Sequence, residues 1–188
     1  MIKTIKIGFQ GDIGSNSEEA SRKFTQELNI ENAVYIPLIT SQNVVDALEN
    51  KKIDFGVMAI TNNSAGIVIE TQKALTKKIK LLKTTDLHIH HSLFTKNKND
   101  QIKFVASHIQ ALNQTKSTRQ KLIPNAIEIE CTDTAHAAKM LAEGKYPNTY
   151  AVICRKNAGL NHNLFLLAQN IEDNPENKTT FGLFKLKN

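Results

Sequence analysis

Short apolar runs alternating with capped, amphipathic helical patterns constrain this chain more than any other feature. Ile5, Ile7 and Phe9 alternate with Lys6 and Gly8, the period of a strand. Gly11-Asp12-Ile13-Gly14-Ser15 breaks the run, and Ser15-Asn16-Ser17-Glu18 has the S-x-x-E form of a capping box. Ala20, Phe24 and Leu28 then follow at helical spacing. The pattern continues with a strand over 33–38, a helix over 41–50 with Val44, Val45 and Leu48 on one face, a strand over 54–60 and a helix over 67–77. After a strand over 79–82, Leu87, Ile89 and His91 alternate with His88, His90 and Ser92. Residues 103–106 and 126–131 read as strands around a helix over 109–122 that ends before Pro124. A helix over 134–143 has Gly144 at its C-cap, and strands over 150–154, 165–171 and 181–186 close the chain around a short helix or turn over 158–163.

Strands alternating with helices predict an α/β protein with open, mainly parallel sheets. Two βαβ-rich blocks are visible, over 1–80 and 85–160. Letting the closing strands return to the first block gives one lobe of 1–83 plus 164–188 and a second of 84–163, sharing a cleft. Sites in such folds lie at strand ends and helix N-termini.

Apolar residues make up 40% of the 188, enough for a core. The net charge of +6 favours acidic partners. The lysines are scattered, however, at Lys51-Lys52, Lys77-Lys78, Lys96, Lys98, Lys185 and Lys187, without interleaved aromatic residues, so no nucleic acid partner is expected. Cys131 and Cys154 lie in apolar, strand-like segments and read as reduced, buried thiols. The N-terminus runs straight into a strand pattern with no long apolar stretch, and no segment approaches the ~18 apolar residues of a membrane span. A cytoplasmic protein with no membrane partner is the expectation.

Several segments carry candidate chemistry. Gly11-x-x-Gly14-Ser15-x-Ser17 turns tightly after a strand and opens a helix, which suits an anion as well as an ordinary N-cap at Ser15. Thr61-Asn62-Asn63-Ser64 sets small polar groups after a strand, where Asn62 and Asn63 supply donors and acceptors without charge, or simply form a polar turn. Ser107-His108-Ile109-Gln110 sits where a strand meets a helix; His108 is either an acid–base group or a cap. His88 and His90 share one strand face while His91 points to the other, and no Cys or carboxylate spacing completes a site, so no metal is expected.

Taken in order, these segments resemble the prephenate dehydratase family over nearly the whole chain. Gly11 to Ser17 matches G-x-x-G-[ST]-x-S. Asp54 to Gly66 matches D-x-G-V-V-P-I-E-N-S-x-x-G in length, with Ala59, Thr61 and Asn63 in place of Pro, Glu and Ser. Leu87 to Leu93 resembles L-P-I-x-H-x-L, Ser107 to Gln114 S-H-P-Q-A-L-x-Q, and Asp133 to Ala138 S-T-A-x-A-A. Asp173 to Phe181 is similar to D-N-x-x-N-x-T-R-F, with Thr180 where the family has arginine.

The resemblance implies a two-lobed, type II periplasmic-binding-protein-like α/β fold with its active site in the inter-lobe cleft. It implies a lyase of phenylalanine biosynthesis that decarboxylates and dehydrates prephenate to phenylpyruvate without a cofactor. Thr179 carries over as the catalytic hydrogen-bond donor, with Ser15, Asn62, Asn63, Ser107, His108, Gln110, Thr134 and Phe181 as substrate-binding positions. Relatives of this type often form homodimers. Neither an ACT regulatory domain nor a chorismate mutase region is expected here. Two other readings stand beside this one: a non-aromatising prephenate decarboxylase, and a non-catalytic small-anion binding protein.

Overall fold

The computed structural model describes residues 4–187; residues 1–3, read above as the lead into the first strand, and residue 188 lie outside them. The chain forms two compact units, the first running to His88 and resuming at Lys178, the second spanning Ile89–Asn177.

In the first unit, β1 (Ile5–Phe9) pairs in parallel with β2 (Ala33–Pro37) and with β3 (Phe55–Asn62). The connections are α1 (Asn16–Glu27) and α2 (Ser41–Glu49), the crossovers that parallel strands need. A short β4 (Gly66–Ile67) and α3 (Ile69–Ala74) lead to β5 (Ile79–His88). The last strand, β11 (Lys178–Leu186), enters between β3 and β5, antiparallel to both, and gives the order β2-β1-β3-β11-β5. Val44, Val45 and Leu48 of α2 pack with Ile53, Met58 and Phe184, the face their spacing marks. The capping box is shifted by one residue. Ser15 Oγ accepts the Glu18 amide at 3.3 Å, while the Glu18 carboxylate takes the Gly14 amide at 2.7 Å. Leu28 is the helix C-cap and is largely exposed.

The second unit holds β6 (Ser92–Thr95), β7 (Phe104–Ser107), β8 (Ile127–Glu130), β9 (Tyr150–Cys154) and β10 (Phe165–Gln169), ordered β10-β6-β9-β7-β8. Both faces are covered, which explains the continuous apolar runs. Phe94, Ala106 and Val152 pack with Ala137 and Leu141 of α6 (Thr134–Ala142). Leu93, Val105 and Ile153 face the other way, with Leu112 and Ile171. In α7 (Lys156–Asn161), a Cβ on Gly159 would lie 2.4 Å from the Phe94 ring. Among the described residues no helix is long and apolar enough to cross a membrane.

Three expectations are corrected. Both sheets are mixed rather than mainly parallel, because β6 and β11 each start where the chain has just changed unit and neither is fed by a crossover helix. Residues 164–177 belong to the second unit, where β10 pairs with β6 and Leu164 and Ile171 enter the cores. The helix expected over 109–122 is two, α4 (Ile109–Gln114) and α5 (Lys116–Leu122). Thr115 separates them at φ −121°, its hydroxyl donating back to Ala111 O at 2.7 Å.

That break opens the amides of α5 to Asp173. Its carboxylate accepts the Ser117 and Thr118 amides, both at 2.9 Å, and the Thr118 hydroxyl at 3.0 Å. Gln114 Oε1 accepts from His91 Nε2 and from Asn177 Nδ2, both at 2.9 Å. Glu172 receives the His91 amide at 2.9 Å and lies 2.7 Å from His90 Nδ1. Asn174 Oδ1 closes the turn by accepting the Glu176 amide. The polar residues opening the D-N-x-x-N-x-T segment therefore hold the backbone that delivers Thr179.

His91 is buried, and burial pushes its imidazole below the ordinary value of 6.5. Burial raises Glu172 and Asp173, but the hydrogen bonds they accept outweigh it and hold both below their ordinary values. The unfolded chain therefore takes up a proton near pH 6.5 that the folded chain resists, so stability falls as the pH drops below 6.5. The two carboxylates extend the loss once the pH passes below their ordinary values of 4.5 and 3.8. Urea unfolding across a pH series is expected to show both phases in the native chain and, in His91→Gln, only the lower one. Equal unfolding midpoints at neutral and mildly acidic pH in the native chain would contradict this.

Candidate active site

The end of β3 and the start of β11 meet with Asn62 opposite Thr179. Asn62 Oδ1 accepts the Ser64 and Ala65 amides, each at 2.9 Å, which fixes the orientation of the amide. Its Nδ2 then faces Thr179, donating to Oγ1 at 2.9 Å and to Lys178 O at 3.0 Å. The Thr179 hydroxyl thus accepts from Asn62 and keeps its own proton unspent among the described residues. Asn62 is 5% and Thr179 8% exposed, so the pair is held away from bulk water, where such bonds strengthen. The result is an oriented, neutral hydrogen-bond donor where β3 ends and β11 begins, in the middle of the first sheet.

The neighbouring candidates support this backbone. Asn63 Oδ1 accepts the Lys178 amide at 2.8 Å, and Phe181 is fully buried core. Ser15 Oγ is the α1 cap described above. Thr180 lies between Thr61 on β3 and Asp86 on β5, and its hydroxyl donates to Asp86 Oδ1 at 2.7 Å. Lys23 of α1 donates to Asp86 O at 3.0 Å. Ala59, at the family's proline position, has an amide that proline lacks, and Gln10 Oε1 accepts it at 3.3 Å. Gln10 Nε2 in turn donates to Glu70 at 2.8 Å.

In the second unit, Ser107 is fully buried and its hydroxyl donates to Ile153 O at 2.6 Å. His108 caps α4, its Nδ1 accepting the Gln110 amide at 3.2 Å. Asp133, where the family pattern has serine, caps α6 by accepting the His136 amide at 2.8 Å. The side chains of Gln110 and Thr134 carry no hydrogen bond among the described residues. Burial raises Cys131 to about 11 and raises Cys154 as well, so both thiols stay protonated. Among the described residues no group of three His, Cys, Asp or Glu side chains is arranged to hold a metal ion.

The sequence reading named Asn62 and Thr179 separately and missed their bond. It also missed the anchoring by Asp173, Gln114 and Asn177. The signal was present, because all three are polar letters of the quoted segments. Their partners lie far away in sequence, so no local pattern marks them as caps and clamps.

A family model described as prephenate dehydratase matches residues 7–188. The prephenate dehydratase of Methanocaldococcus jannaschii is 35% identical over 182 residues, covering 93% of this chain and 62% of that protein. Arogenate dehydratase 5, chloroplastic, of Arabidopsis thaliana is 30% identical over 181 residues, covering 95% of this chain and 41% of that protein. The chain thus spans less than two thirds of either relative. Among solved structures, the prephenate dehydratase of Arthrobacter aurescens in complex with L-Phe aligns with a TM-score of 0.84 at 23% identity, covering 98% of this chain and 61% of that one. That likeness identifies the fold as the periplasmic-binding-protein-like α/β fold. The chain belongs to the prephenate dehydratase family.

Proposed function

We propose that the chain is a lyase that converts prephenate to phenylpyruvate, with Thr179 as the donor to the departing ring hydroxyl. The observation that carries this reading is the Asn62–Thr179 bond at 2.9 Å, which leaves the Thr179 proton directed away from the amide. As the bond from ring carbon to carboxylate breaks, CO2 leaves and its electron pair enters the ring. The C–O bond to the hydroxyl breaks in the same sense, a proton ultimately drawn from water completes the departing water, and the ring becomes aromatic. A positioned donor stabilises the charge that develops on the leaving oxygen. Aromatisation supplies the driving force, and the step as written involves no cofactor.

Asn62 is a positioning residue in this scheme. Gln110 and Thr134, with unengaged side chains, are assigned to substrate binding. Ser15, Asn63, Ser107, His108 and Phe181 act through the backbone and core they hold in place. Arogenate has the same ring and differs in carrying an amine on its side chain, so it belongs in the same assay.

Incubation of the purified chain with prephenate or arogenate, followed by NMR, is expected to yield an aromatic product. Thr179→Ala should lose about 10²–10³-fold in kcat, while Thr179→Ser retains most of it. Asn62→Asp, which turns an acceptor toward Thr179, should lower kcat with little change in KM. A non-aromatic decarboxylated product, binding without turnover, or full activity of Thr179→Ala would each refute the assignment.

Thr180 and Thr61 are register partners on adjacent antiparallel strands, within reach of a long side-chain pair. Introducing Thr180→Arg and Thr61→Glu together is therefore expected to give a coupling of roughly 0.5–1 kcal/mol in unfolding free energy beyond the sum of the single variants. Strict additivity in that double-mutant cycle would show that the two family positions are independent.

A further inference from the structure

Ile39 adopts φ 65°, in the left-handed region. The other described non-glycine residues with positive φ are Asn29, Lys51, Asn163 and Asn170, so Ile39 is the β-branched exception among them. The conformation closes a tight turn, with the Thr40 amide donating to Leu38 O at 2.7 Å across Ile39. Backbone bonds hold it there: Gly11 N–H donates to Ile39 O at 2.8 Å, Ile39 N–H to Gly11 O at 3.3 Å, and Asn43 Nδ2 to Leu38 O at 2.8 Å. Thr40 then caps α2. Glycine or asparagine would serve this turn at less cost. The side chain gains little from the fold either, being 42% exposed and not among the described residues that pack in the α2 cluster with its neighbours Ile36 and Leu38.

Its place suggests where the return comes from. β1, β2 and β3 run parallel, so Gly11, Ile39 and Asn62 follow or end them at the same end of the strands. β11 runs antiparallel and starts at that same end, at Lys178 beside Thr179. In the order β2-β1-β3-β11, Ile39 lies three strand spacings from Thr179, roughly 14 Å across the sheet, and the register sets Thr179 about three residues, roughly 10 Å, further along the strands. A six-membered ring hydrogen-bonded to Thr179 through its hydroxyl, with a three-carbon chain at its far end, is long enough to reach diagonally across that separation once both side chains are counted.

We infer that Ile39 is a specificity-determining residue, held in a strained turn so that its side chain packs against the ring and the side-chain methylene of the substrate, beside the carboxylate-bearing end opposite the departing hydroxyl. This rests on the reaction proposed above. The strain is a cost in the free chain that is offset when substrate covers the side chain.

The test pairs stability with kinetics in Ile39→Gly, Ile39→Asn and Ile39→Val. The Gly and Asn variants suit a positive φ, so their unfolding midpoints should equal or exceed that of the native chain. Their KM should rise about fivefold with kcat nearly constant, as expected when apolar contact made equally in ground and transition states is lost. Ile39→Val, keeping a smaller branched apolar group, should fall between. An unchanged KM in both Gly and Asn variants of a chain that turns over substrate overturns the inference alone. A fall in stability that accompanies the rise in KM also overturns it, because Ile39 would then be a structural residue. Absence of turnover by the native chain overturns the proposed reaction and this inference with it.

Discussion

The buried amide of Asn62 ties together more of the first unit's polar edge than any neighbouring side chain. Its oxygen holds the turn that follows β3, and its nitrogen reaches the backbone and the hydroxyl at the start of β11. Because both ends are committed, the amide cannot flip without leaving buried groups unpaired. The register of Thr179 against Asn62, the direction of the Thr179 hydroxyl and the path of residues 62–65 are therefore one decision. Asn63 repeats the logic on the outside by accepting the Lys178 amide.

Much of the fold was legible in the sequence because burial imposes period. The strand of Ile5, Ile7 and Phe9, the α2 face of Val44, Val45 and Leu48, and Gly144 after α6 at φ 73° all lie where pattern alone puts them. What escaped was strand built from polar residues. Thr61 and Asn62 extend β3, and Lys178 to Thr180 extend β11, yet these positions lack apolar alternation and read as loop. Their pairing comes from the strand next door, which a local pattern does not see. The break at Thr115 escaped for a similar reason, since α5 is capped by Asp173, far away in sequence.

The site was legible as residue types and less so as roles. Asn62 and Thr179 were named, but which partner each serves depends on register. Of the two readings open for His108, the cap is the one seen, its Nδ1 taking the Gln110 amide, while the Ser107 hydroxyl is spent on Ile153 O. Thr180 gains meaning only beside Asp86 and Thr61, which β5 and β3 bring to its two sides. The family's arginine position here carries a short hydroxyl whose partner is already a carboxylate.

The insertion of β11 between β3 and β5 also constrains the order in which the molecule can form. During synthesis the second unit, Ile89–Asn177, emerges as one continuous stretch and has all its strands before β11 exists. The first unit has β1 to β5 early, yet β3 and β5 have no central partner until Lys178–Leu186 arrives. Two strand edges stay open for about ninety residues of elongation, several seconds at typical rates. The two lysines of β5, Lys80 and Lys83, are the kind of charge that discourages such an edge from pairing with the wrong chain. The strand that delivers Thr179 is thus also the one that ends the nascent chain's exposure to aggregation.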